Sequence, residues 1–189
     1  MSQLEALLKL LALDRLPRTG WILAGVEPVE SVAAHGLGTA LVALALGPAV
    51  EPALDVDRAV SLAVLHDAPE ALLTDLPRSA SSLLPAGAKG QAEARAAERL
   101  LAPLSSAALE REAEYRAQET REARFVRLCD KLQLGVRLLG YVRAGARGLE
   151  DFRTGLENLE AGEFAPCEKL RLQLLAALAE QGLGGTPSG

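Results

Sequence analysis

Aromatic residues are nearly missing from this chain of 189 residues, which has one tryptophan, two tyrosines and three phenylalanines. β-Branched residues are also few. The types that fill pleated sheets are therefore scarce, while the helix formers alanine and leucine dominate the apolar composition, and an all-α fold follows. Cysteine occurs twice, at Cys129 and Cys167, without C-x-x-C spacing. That excludes a disulfide scaffold and leaves Cys129 as a buried bystander thiol. No lysine and arginine cluster builds a long basic face on a chain of net charge −5. A nucleic-acid polymer is thereby disfavoured as a partner, although one or two local arginines can still hold a small anion. The N-terminal stretch lacks the charge order and cleavage site of a signal peptide, and its apolar run is too short and interrupted to span a bilayer. We therefore expect a cytoplasmic protein with no membrane attachment.

The length suits one domain, expected over 1–183, with a frayed tail at 184–189. Leucines at helical spacing predict a helix over 2–13, ended near Leu16-Pro17. Residues 17–30 hold two prolines and two glycines and read as an ordered loop. Ser31 caps a helix that runs to Gly47-Pro48, apolar on nearly every side and so expected to be buried, with Gly36 and Gly38 admitting a close neighbour. Asp55 or Asp57 caps a second buried helix over 58–72. Pro69 lies inside it, cannot donate to the carbonyl of Leu65, and predicts a kink. Residues 74–87 read as loop. Amphipathic helices over 88–102 and 106–118 suit a solvated outer layer, and further helices are predicted over 119–144 and 166–182. The total is about six to seven helices.

Histidine is the informative scarcity. The chain has two, His35 and His66, each in a predicted buried helix. In LHDAPEALLTD, residues 65–75, His66, Asp67 and Glu70 fall within one arc of ~100° on a helical wheel. A lone histidine on an apolar helix is ordinarily a satisfied core residue, and a lone aspartate is ordinarily solvated. The set is harder to dismiss, because a buried carboxylate costs several kcal/mol unless it is paired or bound to a cation. No basic residue lies near Asp67 on its own helix except Arg58, more than two turns away. A metal ion would supply the charge. Asp130, central in a third apolar helix, adds a second carboxylate. Two imidazoles and two carboxylates make a first shell suited to one divalent transition metal, Mn, Fe, Co, Ni or Zn, with positions left for water and substrate.

The order His35, His66-Asp67, Asp130 resembles the HD superfamily of metal-dependent phosphohydrolases. PRTGW (17–21), PVESVAAH (28–35), LHDAPEALLTDLP (65–77) and ETREARFVRLCDKLQL (119–134) narrow the resemblance to its 5′-deoxynucleotidase branch, over roughly residues 7–144. The resemblance implies an HD-domain helical bundle. It also implies hydrolysis of (deoxy)nucleoside 5′-monophosphates to nucleoside and phosphate, by a water that the metal activates. It makes His35, His66, Asp67 and Asp130 the metal ligands, and Glu70 and Asp75 acid, base or positioning groups. Arg18 then contacts the phosphate, Trp21 shapes the sugar pocket, and Lys131 helps to neutralise the phosphate. Asp75 has the competing role of a turn residue, Trp21 that of a core anchor and Lys131 that of a solvated side chain. With no further histidine, a mononuclear site is the economical reading.

Ala34 and Gly36 flank His35 where the family carries glutamate and a larger residue, and Thr74-Asp75 stands in place of Gly-Asp. These departures bear on substrate choice and on the turn. Two other readings remain beside the first: an HD hydrolase of nucleoside di- or triphosphates or another small phosphate ester, and a non-catalytic metal- or nucleotide-binding module. A homodimer is expected to form through the helix around Gly36 and the outer helices.

Overall fold

The computed structural model describes residues 1–184, apart from the side chain of Arg78. The expected tail thus lies outside the described residues, except for Gly184. Within them the chain is helical throughout, with no strand and a single isolated antiparallel bridge between Pro17 and Ser31. The elements are α1 (Gln3–Leu10), continued by a 3₁₀ turn over Leu11–Asp14, α2 (Thr19–Leu23), α3 (Val32–Leu46), α4 (Val56–Leu65), α5 (Glu70–Leu73) and α6 (Arg78–Ser81). They continue with α7 (Ala88–Leu101), α8 (Ser106–Ala117), α9 (Arg121–Arg143), α10 (Glu150–Glu157) and α11 (Ala165–Glu180).

Side-chain caps set most of the long helix starts. Ser2 and Glu5 form a reciprocal capping box on α1, and Ser31, Asp55, Ser105 and Thr120 each accept from a backbone N–H in the first turn of α3, α4, α8 and α9. The centre of the bundle is the packing of α3, α4 and α9, with α10 and α11 against the far side of α9 and α8 against α4. Leu62, Phe125, Leu132 and Leu138 are fully buried there, each contributing ~1.5–3 kcal/mol of transfer free energy. A second apolar cluster joins Ala68 to Ala97, Leu100 and Leu101 of α7 and seats the outer layer on the turn after α4.

Three expectations change. The helix over 58–72 is broken rather than kinked: α4 stops at Leu65, residues 66–69 form a turn, and α5 starts at Glu70. Without an N–H at Pro69 the chain tightens, with Ala68 N–H donating to Leu65 O at 3.0 Å and Glu70 N–H to Asp67 O at 3.0 Å. Second, α3 is buried on one stripe only. His35, Thr39 and Ala43 face α4 and α9, while Leu37, Leu41 and Leu44 remain 63%, 56% and 54% exposed. Val32–Ala49 has the length and mean hydropathy, 1.5, of a membrane span, yet its inner stripe carries the fully buried polar side chains of His35 and Thr39. Third, α10 lies where no helix was expected, and the segments read as loops at 17–30 and 74–87 contain the short helices α2 and α6.

Candidate metal centre and its cleft

The bridge between Pro17 and Ser31 ties the two ends of the 17–30 segment together. Arg18 N–H donates to Glu30 O at 3.0 Å and Val32 N–H to Leu16 O at 2.8 Å, so the backbone of Arg18 is fixed against the start of α3. One turn into α3, His35 is fully buried, and His66 at the end of α4 is 7% exposed. Their rings lie 5.3 Å apart, centroid to centroid. His66 Nδ1 lies 2.7 Å from Ala63 O, an atom that only accepts, so this nitrogen carries a proton. His35 Nδ1 lies 2.5 Å from Gln133 Oε1. Both Nε2 atoms are left buried without a hydrogen-bond partner.

Those two nitrogens and a carboxylate oxygen of Asp130 converge, all within 4.8 Å of one another. His35 Nε2 is 3.0 Å from Asp130 Oδ1. Asp67 sits at the outer edge of the group, its Oδ2 3.7 Å from His35 Nε2 and 3.2 Å from His66 Nε2. Orphaned, buried imidazole nitrogens facing carboxylates are the donor set of a divalent metal, and the cluster can hold one. The proximity shows in the acid–base chemistry of the protein without metal. Burial opposes a charged His66, yet the carboxylates of Asp67 and Asp130 raise its pKa to about 9. Burial likewise opposes ionisation of Asp67 and Asp130. The cations around them win, chiefly His66 and Arg18 for Asp67 and Lys131 for Asp130, and hold both carboxyls well below the usual range.

The positive partner that Asp67 lacks on its own helix comes from 49 residues away. Arg18 Nη1 lies 3.2 Å from Asp67, 3.4 Å from Asp75 and 3.9 Å from Glu70, one guanidinium among three carboxyl groups. Asp75 is fully engaged: its Oδ2 accepts from Thr19 N–H at 2.5 Å, and its backbone carbonyl accepts from Thr19 Oγ1 at 2.7 Å. It therefore holds the start of α2, and Arg18 with it. Glu70 differs, since its Oε2 is buried with no hydrogen-bond partner. Burial, reinforced by the charge on Asp67, pushes its pKa up to about 9, so it is a neutral acid at pH 7. Between Glu70 and Asp75, Thr74 adopts φ 65 and ψ 167, backbone space that β-branched residues avoid. The turn thus keeps a glycine-like conformation without the glycine.

With the fully buried His35 behind them, Arg18, His66, Asp67, Glu70, Asp75 and Asp130 line a cleft of about 810 Å³, within the range of small-molecule sites. Lys131 is half-exposed at its rim, with Nζ 2.8 Å from Asp130 Oδ2. Trp21 touches the cleft but is 1% exposed. Its ring stacks on Phe152 at 4.0 Å, meets Tyr141 edge-on at 5.1 Å, and donates Nε1–H to Glu30 at 2.9 Å. It anchors the wall from behind. Tyr115, whose ring lies 5.2 Å from that of His66, closes another side.

Sequence reasoning missed Tyr115, Glu30, Gln133 and the wall formed by α10. The last had a readable signal, because Leu149, Phe152 and Leu156 recur at helical spacing.

Residues 12–161 match the family described as HD domain. The chain is 33% identical over 175 residues to the 5′-deoxynucleotidase HDDC2 of Xenopus laevis, covering 89% of this chain and 82% of that one. It is 27% identical over 148 residues to the 5′-deoxynucleotidase hdd1 of Schizosaccharomyces pombe, covering 74% and 73%. A crystal structure from Pyrococcus horikoshii OT3 superimposes with a TM-score of 0.80 at 30% identity, over 92% of this chain and 99% of that one.

Proposed function

Because the chain belongs to the HD domain family, we propose that it is a metal-dependent phosphohydrolase that removes the 5′-phosphate from (deoxy)nucleoside monophosphates. The observation that carries this is the pair of buried, unpartnered Nε2 atoms of His35 and His66 meeting Asp130 at the floor of a cleft that Arg18 also lines. The nucleotidase names of the relatives in frog and fission yeast support the same chemistry.

His35, His66, Asp67 and Asp130 would hold one divalent transition metal of the Mn, Fe, Co, Ni, Zn group. That ion supplies Lewis-acid polarisation of the phosphate and a water acidic enough to act near neutral pH. The remaining steps belong to the chain. Arg18, fixed by the bridge and by Asp75, presents its guanidinium to the phosphate oxygens. Glu70, whose carboxyl is held neutral at pH 7 in the metal-free protein by burial and by Asp67, donates a proton to the 5′-oxygen as the ester bond breaks, and accepts one back from a water afterwards. Lys131 offers a second cation at the rim. Asp75 acts by positioning Arg18.

A second reading, hydrolysis of nucleoside di- or triphosphates, is favoured by one observation. The cleft adjoins a cavity of about 700 Å³, and Arg127 and Lys131 line both. The chain is read as one domain over 1–183, acting in the cytoplasm; the two free buried thiols suit a reducing compartment. The exposed stripe of Leu37, Leu41 and Leu44 supports a homodimer, which light scattering tests. The deciding assay is phosphate release across mono-, di- and triphosphates with a series of divalent metals after chelator treatment. Silence on every monophosphate removes the first reading.

A further inference from the structure

Glu30 is 6% exposed and has no role in the reaction proposed above, yet three donors converge on its carboxylate. Trp21 Nε1–H reaches Oε1 at 2.9 Å, and Gln133 Nε2 and Arg137 Nε reach Oε2 at 3.0 and 2.7 Å. A carboxylate beside a permanently charged guanidinium accepts and does not donate. The Gln133 amide must therefore turn its NH₂ group towards Glu30. Its oxygen is then left for His35, 2.5 Å from Nδ1. An amide oxygen accepts only, so Nδ1 carries a proton, and the neutral ring that a metal requires then presents its Nε2 lone pair to the cluster with His66 and Asp130.

From this chain of obligatory donors and acceptors we infer that Glu30 and Gln133 are positioning residues that set the tautomer of His35 for metal binding. The inference rests on the metal-centre reading of the preceding section. The sequence has room for the device because α3 carries glycine at 38: a Cβ there would stand 2.8 Å from Gln133 Cγ and 2.9 Å from its Nε2.

Breaking the chain tests it. Gln133→Leu removes the acceptor from His35 Nδ1 and frees the proton to move to Nε2, where it blocks the metal. Gln133→Glu keeps an acceptor there: sharing a proton with Glu30, its carboxyl donates on one side and accepts from Nδ1–H on the other. Mn²⁺ or Zn²⁺ dissociation constants, measured on full-length protein that circular dichroism shows to be folded, should weaken on the order of 10- to 100-fold in Gln133→Leu and stay within a few-fold of wild type in Gln133→Glu. Glu30→Leu, which leaves the Gln133 amide free to turn over, should weaken them as well. With only two histidines in the chain, ¹⁵N-histidine NMR of the Zn²⁺-loaded wild type should show His35 as a protected Nδ1–H, a signal lost in Gln133→Leu. Unchanged affinity in folded Gln133→Leu or Glu30→Leu, or a Gln133→Glu variant as weak as Gln133→Leu, overturns the inference. A wild type that binds no metal overturns the metal-centre reading itself, a separate outcome.

Discussion

Glu70→Gln is the substitution on which the proposed chemistry can be judged most sharply. With a pKa of about 9 in the metal-free protein, the carboxyl is ionised there on the order of 1% of the time at pH 7, so glutamine copies both its shape and its charge. The fold, the Arg18 network and metal content should therefore be preserved. What glutamine lacks is a transferable proton. Loss of a positioned general acid costs 10²- to 10⁴-fold, or ~3–5 kcal/mol in the barrier, on a nucleotide whose leaving group is a 5′-alkoxide. A nitrophenyl phosphate leaves as a stable phenolate without protonation and should lose little. The same variant makes a stability statement. In the metal-free wild type, folded Glu70 keeps a proton that the unfolded chain releases above its ordinary value of 4.5. Stability is therefore lost as pH rises from about 4.5 towards about 9, by ~3 kcal/mol at pH 7 as an upper bound. Glutamine removes this cost, so chelator-treated Glu70→Gln should melt above wild type at pH 7 and by more at pH 8. Equal losses on nucleotide and nitrophenyl phosphate, or a variant less stable than wild type at pH 8, would refute the assignment.

Metal uptake should be accompanied by proton release. His66, with a pKa raised to about 9, is charged at pH 7 in the metal-free protein and must bind metal as the neutral ring. Titration calorimetry in buffers of different ionisation enthalpy should find about one proton released per ion, and none at pH well above 9. Thr74→Gly should raise the melting temperature, since relief of a backbone strain of ~1–3 kcal/mol exceeds the ~0.5–1 kcal/mol entropic penalty of glycine. A lower melting temperature would show that the Thr74 side chain compensates its own strain. Gly38→Ala should cost ~1–3 kcal/mol by overpacking against Gln133. Chemical denaturation and metal affinity should fall together in that variant.

Much of the centre could be read from residue scarcity. Two histidines, each on an apolar helix, had few other uses, and Asp130 announced itself as a carboxylate where burial was expected. The partner of Asp67 could not be read that way, because Arg18 arrives through a backbone bridge between segments and not along a helix. Glu30 and Gln133 look solvated in sequence. Their burial depends on how closely α3 crosses α9 at Gly38, a tertiary distance that no local pattern encodes. Pro69 was legible as a disturbance, but its extent was not, since a tightened turn and a kinked helix begin from the same missing N–H. The outer face of α3 was misjudged for a related reason: composition reports how apolar a helix is, not how many neighbours arrive to cover it.

The bridge between Pro17 and Ser31 fixes an arithmetic of the chain. Extra residues inserted between the exposed Glu27 and Pro28 would bulge outward and leave the anion-gripping side chain in register with the first imidazole. A single residue added between Ser31 and His35 would rotate that ring by about 100° around its helix, away from its counterpart on α4. Tolerance to length change and intolerance to it should therefore alternate within about twenty positions, divided by two backbone hydrogen bonds.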